Sequence, residues 1–235
     1  MNDIAVVTGA SSGIGMAIAK KLVDANIEVY GIGRDFSNTD SELLKNLLFH
    51  KCEFDLSDDN KLDLFLNNLK SVDVSIVINN AGCAYYGLCE DISASKIRSM
   101  AKVNFEVPLV ITCFFMKKLK QNKGTIINIA STTAISMSNT HGAVYGATKA
   151  GLYSFSNSIF DEARKYGVRV CTIMPDMTDT NLYRNADFGV DSDKRAYLDK
   201  DVVAKTALSI INADKDFAIT QIVLKPILHR IKRKK

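Results

Sequence analysis

Hydrophobic and polar positions along this chain fall into blocks: short unbroken apolar runs separated by longer amphipathic stretches. Residues 4–8 form the first apolar run and pass straight into glycines, as a buried parallel strand does. Residues 16–24 follow with helical periodicity. Strands are then predicted at 28–32, 47–52, 74–78, 125–129, 168–173 and 219–224. Helices are predicted at 58–69, 97–119 (one helix or two in succession), 147–166 with a start a few residues earlier, and 201–212. Strands that alternate with helices imply an α/β fold, a doubly wound and mostly parallel sheet of seven strands with helices on both faces. Residues 181–199 are the least regular internal stretch and follow the sixth strand, where such sheets place ligand-facing loops.

The 235 residues are 47% apolar with three prolines, enough for one large core and without a proline-rich linker. This leads to one domain over residues 1–228 and a basic tail over 229–235. Much of the formal charge of +4 lies in that tail, HRIKRKK, so the body carries no nucleic-acid footprint. The tail is read as a solvated end, with anionic lipid or nucleic acid as the competing partners. The five cysteines match no zinc spacing, and no metal site is expected. No secretory signal or run of membrane-spanning length is visible, which makes the cytoplasm the expected compartment.

The first strand enters TGASSGIG, residues 8–15. Gly9, Gly13 and Gly15 permit a tight turn, close approach of a pyrophosphate and close packing of the next helix, which makes the fold Rossmann-like. At the end of the second strand, Gly33 stands where an acidic residue would hold an unphosphorylated ribose, and Arg34 follows. Arginine pairs with phosphate in fork geometry, and Ser12 adds a hydroxyl, so the expected cofactor is NADP(H). The competing reading gives the ribose to Asp35 and the cofactor to NAD. Asp55 and the run NNAG at 79–82 are placed to meet the adenosine half. Further on, Tyr145 and Lys149 are one helical turn apart, a phenol beside an ammonium on one helix face. Such a pair is a candidate proton donor and acceptor.

TGASSGIG, Asp55, NNAG, Asn104, Ser131, Tyr145, Lys149, and Pro175 with Thr180 occur in the order of the short-chain dehydrogenase/reductase family, and the chain resembles a member of it. Its short form and second strand are similar to members that reduce small carbonyl compounds with NADP(H). The resemblance implies a catalytic set of Asn104, Ser131, Tyr145 and Lys149. Tyr145 would exchange the proton, Lys149 would bind ribose and lower the phenol pKa, Ser131 would hold the substrate oxygen, and Asn104 would hold a water. It also implies cofactor contacts from Gly9, Ser11, Ser12, Gly13, Ile14 and Gly15, from Arg34, Asp55 and Leu56, from Asn80, Ala81 and Gly82, and from Pro175, Thr178 and Thr180, besides Asn104, Tyr145 and Lys149. Two departures stand out. Asp176 replaces the glycine that usually follows the proline, and the interval from Ser131 to Tyr145 is one residue longer than common.

Substrate-pocket candidates are Ser131, Thr133, His141, Met177 and Tyr183, with Ile135, Leu182 and Phe188 nearby. The mostly apolar set suggests a small to medium carbonyl or alcohol. Apolar residues beyond one narrow face of the two long helices suggest a homodimer or homotetramer, with simple core burial as the rival. A non-catalytic NADP-binding regulator of the same fold is the remaining alternative.

Overall fold

The computed structural model describes residues 3–136 and 138–234. Met1, Asn2, Met137 and Lys235 lie outside the described residues.

All seven expected strands are present: β1 (Ile4–Thr8), β2 (Glu28–Gly33), β3 (Phe49–Glu53), β4 (Ile76–Asn79), β5 (Thr125–Ile129), β6 (Arg169–Pro175), and near the end Gln221–Leu224. They form one sheet in the order β3-β2-β1-β4-β5-β6 followed by the Gln221–Leu224 strand, and every pairing is parallel. The order reverses at β1, so the C-terminal ends of β1 and β4 open a crevice on one edge of the sheet.

The helices are α1 (Gly13–Asp24), α2 (Ser41–Lys45), α3 (Asp59–Asn68), α4 (Ala94–Ala101), α5 (Val107–Asn122), α6 (Ala143–Ala163) and α7 (Lys200–Ile211). Alternate residues of the strands face opposite ways, and both faces of the inner strands are buried, whereas the outer strands β3 and Gln221–Leu224 stay partly exposed. Ala5, Val7, Ile76 and Ile78 pack with Ile18 and Leu22 of α1 and with Val203 and Ala207 of α7. Val6, Val77, Ile126 and Val170 pack with Phe65 of α3, Ile111, Phe115 and Leu119 of α5, and Ile159 of α6. This two-sided burial is why the strands read as unbroken apolar runs.

Three elements were not expected from the sequence. α2 is a five-residue helix capped by the Asp40 side chain, which accepts from the Glu42 amide. β7 (Phe188–Val190) lies inside the supposedly irregular 181–199 stretch. With the parallel strand Gln221–Leu224 as β8, β9 (Ile231–Arg233) lies inside the basic tail. β7 and β9 pair antiparallel as a separate small sheet. The side chains of residues 229–234 are exposed, but the backbone of Ile231–Arg233 is paired.

The region expected at 97–119 is α4 and α5 joined without a break by a π-helical segment, Lys102–Glu106. By length and composition the joined helix Ala94–Asn122 could cross a membrane, contrary to the expectation that no segment is long enough. Its residues Val107, Ile111, Phe115 and Leu119 instead fill the core beneath the sheet.

Candidate active site

The glycine loop is fixed by its neighbours on the adjacent strand end. Gly9 and Gly13 have φ of 69° and 56°, a region that L side chains disfavour. A Cβ on Gly15 would sit 2.2 Å from the Gly9 carbonyl oxygen, so the helix can approach the loop only as glycine. Asn80 ties β4 to the loop: its Nδ2 donates to the Thr8 carbonyl at 2.9 Å, and its amide donates to Thr8 Oγ1 at 2.9 Å. The Thr39 hydroxyl donates to the Ser11 carbonyl at 2.8 Å. Ser12 is the N-cap of α1 but makes no side-chain capping bond, so its hydroxyl and the helix amides face the cleft unused.

The ribose end is shaped by exclusion. A Cβ on Gly33 would lie 2.7 Å from both Cβ and Oγ of Ser11, so no acidic side chain fits there without displacing the loop. Arg34 lines the cleft beside it. Asp35 is turned into its own loop, where its carboxylate accepts from the Ser37 amide at 2.8 Å. Asp55 likewise accepts from the Ser57 amide and hydroxyl, at 2.8 and 2.7 Å. These bonds and the Arg34 charge hold the Asp55 carboxyl low, although burial pushes it the other way. The loop geometry, the free helix start and Arg34 together suit a phosphate-bearing dinucleotide.

At the far end, Ser131 leaves β5, and Tyr145 and Lys149 project from the first two turns of α6. All three line the same cleft as the glycine loop. Tyr145 is 3% exposed and Lys149 4% exposed. The Lys149 ammonium donates to the Ile129 carbonyl at 2.8 Å and lies 6.0 Å from the Tyr145 ring centre. Burial lowers its pKa to about 8. The expected depression of the phenol is not a property of the protein alone: burial pushes the Tyr145 pKa up, the nearby Tyr183 adds to this, and the Ser131 hydroxyl opposes it more weakly. An amine that titrates near neutrality, a phenol and a hydroxyl at the floor of one cleft can hold a proton and pass it on.

Asn104 sits in the π-helical segment, fully buried. Its Oδ1 accepts from the Cys83 amide at 2.8 Å, and its Nδ2 donates to the Cys83 carbonyl at 2.8 Å and to Thr148 Oγ1 at 3.2 Å. It thus pins the loop after β4 to the helix that carries Lys149. A Cβ added to Gly82 would meet Asn104 Oδ1 at 3.4 Å and Lys149 Nζ at 3.6 Å, so Gly82 keeps open the space between the two. Asn104 and Gly15 pack behind the cleft wall rather than on it.

The remaining cofactor candidates, Ser11, Ser12, Gly13, Ile14, Leu56, Asn80, Ala81, Gly82, Pro175, Thr178 and Thr180, line the cleft together with Gly9. Of the substrate candidates, Ser131 and Tyr183 line it, whereas Thr133, His141 and Met177 do not. His141 is exposed with φ of 63°, its carbonyl taking the Gly87 amide, and Met177 is buried against its own turn. Asp176 adopts an ordinary negative φ, and its carboxylate accepts from the Met177 amide at 2.8 Å, so this turn does not need the usual glycine. Sequence reasoning missed Cys83 and Tyr85 on the wall, and Tyr86, whose ring centre lies 5.8 Å from that of Tyr145. The only signal for them was the run CAYYG directly after NNAG.

Comparison with known proteins agrees with this geometry. Residues 3–188 match the family model described as short chain dehydrogenase. The chain is 30% identical over 234 residues to an uncharacterized oxidoreductase of Staphylococcus epidermidis, covering 95% of this chain and 97% of that protein. Its fold is similar to that of an alcohol dehydrogenase from Thermococcus sibiricus complexed with 5-hydroxy-NADP (TM-score 0.86, 23% identity, 98% of each chain). It is also similar to a 3-ketoacyl-(acyl-carrier-protein) reductase from Brucella melitensis complexed with NADH (TM-score 0.82, 21% identity, 94% of this chain and 96% of that one). With the family match, the whole-length relative and the architecture in agreement, the chain belongs to the short-chain dehydrogenase/reductase family of oxidoreductases.

Proposed function

We propose that this protein is an NADP(H)-dependent oxidoreductase acting on a small to medium carbonyl or alcohol. The observation that carries this reading is the placement of Ser131, Tyr145 and Lys149 in one cleft with the glycine loop and Arg34. The nicotinamide cofactor, when bound, supplies or accepts the hydride. Gly9, Gly13 and the start of α1 would hold its pyrophosphate, and Arg34 with Ser12 would hold the ribose phosphate. In reduction the Tyr145 hydroxyl donates its proton to the carbonyl oxygen, and in oxidation it takes the proton of the alcohol. Ser131 donates to the same oxygen, so two hydroxyls meet the negative charge that develops there. Lys149 restores the proton to Tyr145 and would hold the nicotinamide ribose of the bound cofactor. Asn104 keeps the Lys149 side open to water.

The preference for the phosphorylated cofactor is supported by the collision that excludes a carboxylate at position 33 and by the engagement of Asp35 in its own turn. It is tested by initial rates with NADPH and NADH on a panel of ketones, aldehydes, ketoacids and cyclic diones, for the native protein and Arg34→Ala. Loss of a charge-assisted phosphate contact should raise the KM for NADPH by about 10- to 100-fold and leave NADH almost untouched. An unchanged NADPH rate would contradict the assignment.

The subunit arrangement belongs to the same proposal. Val110 and Cys113 are exposed and Phe114 half-buried on the outer side of α5, which suits a homodimer or homotetramer through that surface.

A further inference from the structure

The loop that crosses the substrate end of the cleft has little to hold it. Within residues 181–190 only Ala186 is buried. The base of the loop is fixed where the Leu198 amide donates to the Met177 carbonyl at 2.7 Å. Its tip is held from elsewhere in the chain. β9 pairs with β7, matching Phe188 to Arg233 and Val190 to Ile231. The Lys234 amide donates to the Asp187 carbonyl at 2.6 Å, and the Lys234 ammonium donates to the Tyr183 carbonyl at 2.6 Å. Before β9, the Leu228 amide donates to the Arg195 carbonyl at 2.9 Å.

This clamp fixes two rings, Tyr183 on the cleft wall and Phe188 behind it. Phe188 stands edge-on to Tyr86 at 4.9 Å between centres, Tyr183 stacks on Tyr86 at 6.3 Å, and Tyr183 and Phe188 lie 5.7 Å apart. Tyr86 in turn contacts the Tyr145 ring. These spacings are those of mutually stabilising aromatic pairs. Arg184, on the same rim, donates to the Asn181 carbonyl at 3.2 Å.

We propose that residues 231–234 form a strap that holds Tyr183 on the cleft wall, backed by Phe188 and Tyr86 as one ring cluster beside Tyr145, and that Tyr183 so held makes the enzyme prefer flat aromatic carbonyls to small aliphatic ones. The proposal rests on the oxidoreductase reading above and names the substrate class that the site selects. The strap residues touch neither the catalytic groups nor the cofactor loop. They act through the loop they hold.

The test compares the native protein with three variants: deletion of residues 229–235, Lys234→Pro and Lys234→Arg. Lys234→Pro keeps the chain but removes both the amide and the ammonium donor. Amide exchange over 183–190 should accelerate about tenfold or more in the deletion and in Lys234→Pro, while the β5 amides stay protected. NADPH affinity, by calorimetry, should stay within about twofold, because the cofactor loop is untouched. The preference for benzaldehyde over propanal in kcat/KM should fall about five- to tenfold, through KM, as the ring contacts are lost. Lys234→Arg, which retains both donors, should behave as the native protein. Unchanged exchange, an unchanged aldehyde preference despite faster exchange, or loss of NADPH binding on removing the strap would each overturn the proposal. A native enzyme inert to the whole carbonyl panel would sink the proposed function instead, and the exchange data would still decide whether the strap holds the loop.

Discussion

At the scale of single residues, the site combines groups that a sequence displays with environments that it hides. Tyr145 and Lys149 were candidates because helical spacing alone puts them on one face, and Ser131 only through the resemblance to the family. Their burial was not legible, since it depends on which loops close over the helix start. That burial has a measurable consequence. The folded-state pKa of Lys149 is lowered to about 8 from 10.5, so between these values the unfolded chain binds more protons than the folded one. Stability from this group therefore rises with pH across that window, and below about pH 8 the buried charge weighs against folding by a constant amount. The raised pKa of Tyr145 acts in the opposite direction only above its unfolded value of 10.0, where the unfolded phenol ionises first. Chemical denaturation of the cofactor-free protein should thus show native stability gaining of order 2 kcal/mol on Lys149→Met between pH 8 and 10. Parallel curves for the two proteins would contradict the buried-ammonium account.

At the scale of elements, each strand of the main sheet could be placed to within two residues: the inner strands because both their faces are apolar, the outer ones because their short apolar runs meet turn residues. Short elements escaped for a definite reason. α2 spans barely more than one turn, and β7 and β9 have three residues each, too few to show a period. Their partners are distant in sequence, so no local signal pairs them. The junction of α4 and α5 was ambiguous because a π-helical turn adds a residue without breaking the helix. There it serves to swing Asn104 onto the Cys83 backbone. The contact between β1 and α1 is the least forgiving in the fold, because a Cβ at position 15 meets a backbone oxygen that cannot give way. Gly15→Ala should cost about 1–3 kcal/mol in thermal unfolding, the usual range for overpacking. It should also weaken NADPH binding more than tenfold, since one charge-assisted contact is worth that much and the loop carries several. An Ala variant with native cofactor affinity would show that the loop relaxes at no cost.

At the scale of the whole molecule, composition and charge correctly kept attention on the α/β body, but they mislead about the basic end. A run such as HRIKRKK reads as a charged tail because its side chains are exposed. What it does is decided by backbone pairing across more than forty positions of sequence, from Phe188 to Arg233, which composition does not encode. The outer face of α5 has a bearing on assembly. If it is the subunit contact, Cys113→Asp, at an exposed position between Val110 and Phe114, should shift sedimentation from a dimer or tetramer to a monomer without altering the sheet. An oligomer that survives the new charge would place the contact elsewhere.

The central claim is that the Tyr145 phenol exchanges the proton while hydride passes between the cofactor and a carbonyl carbon. Its most direct test is NADPH turnover by Tyr145→Phe on whichever carbonyl the native protein reduces best, with NADPH affinity measured on the same sample. The account predicts a fall in kcat of about 100- to 10,000-fold, the range for loss of a general acid, with cofactor affinity near native. A variant that binds NADPH normally and keeps most of its turnover would contradict it.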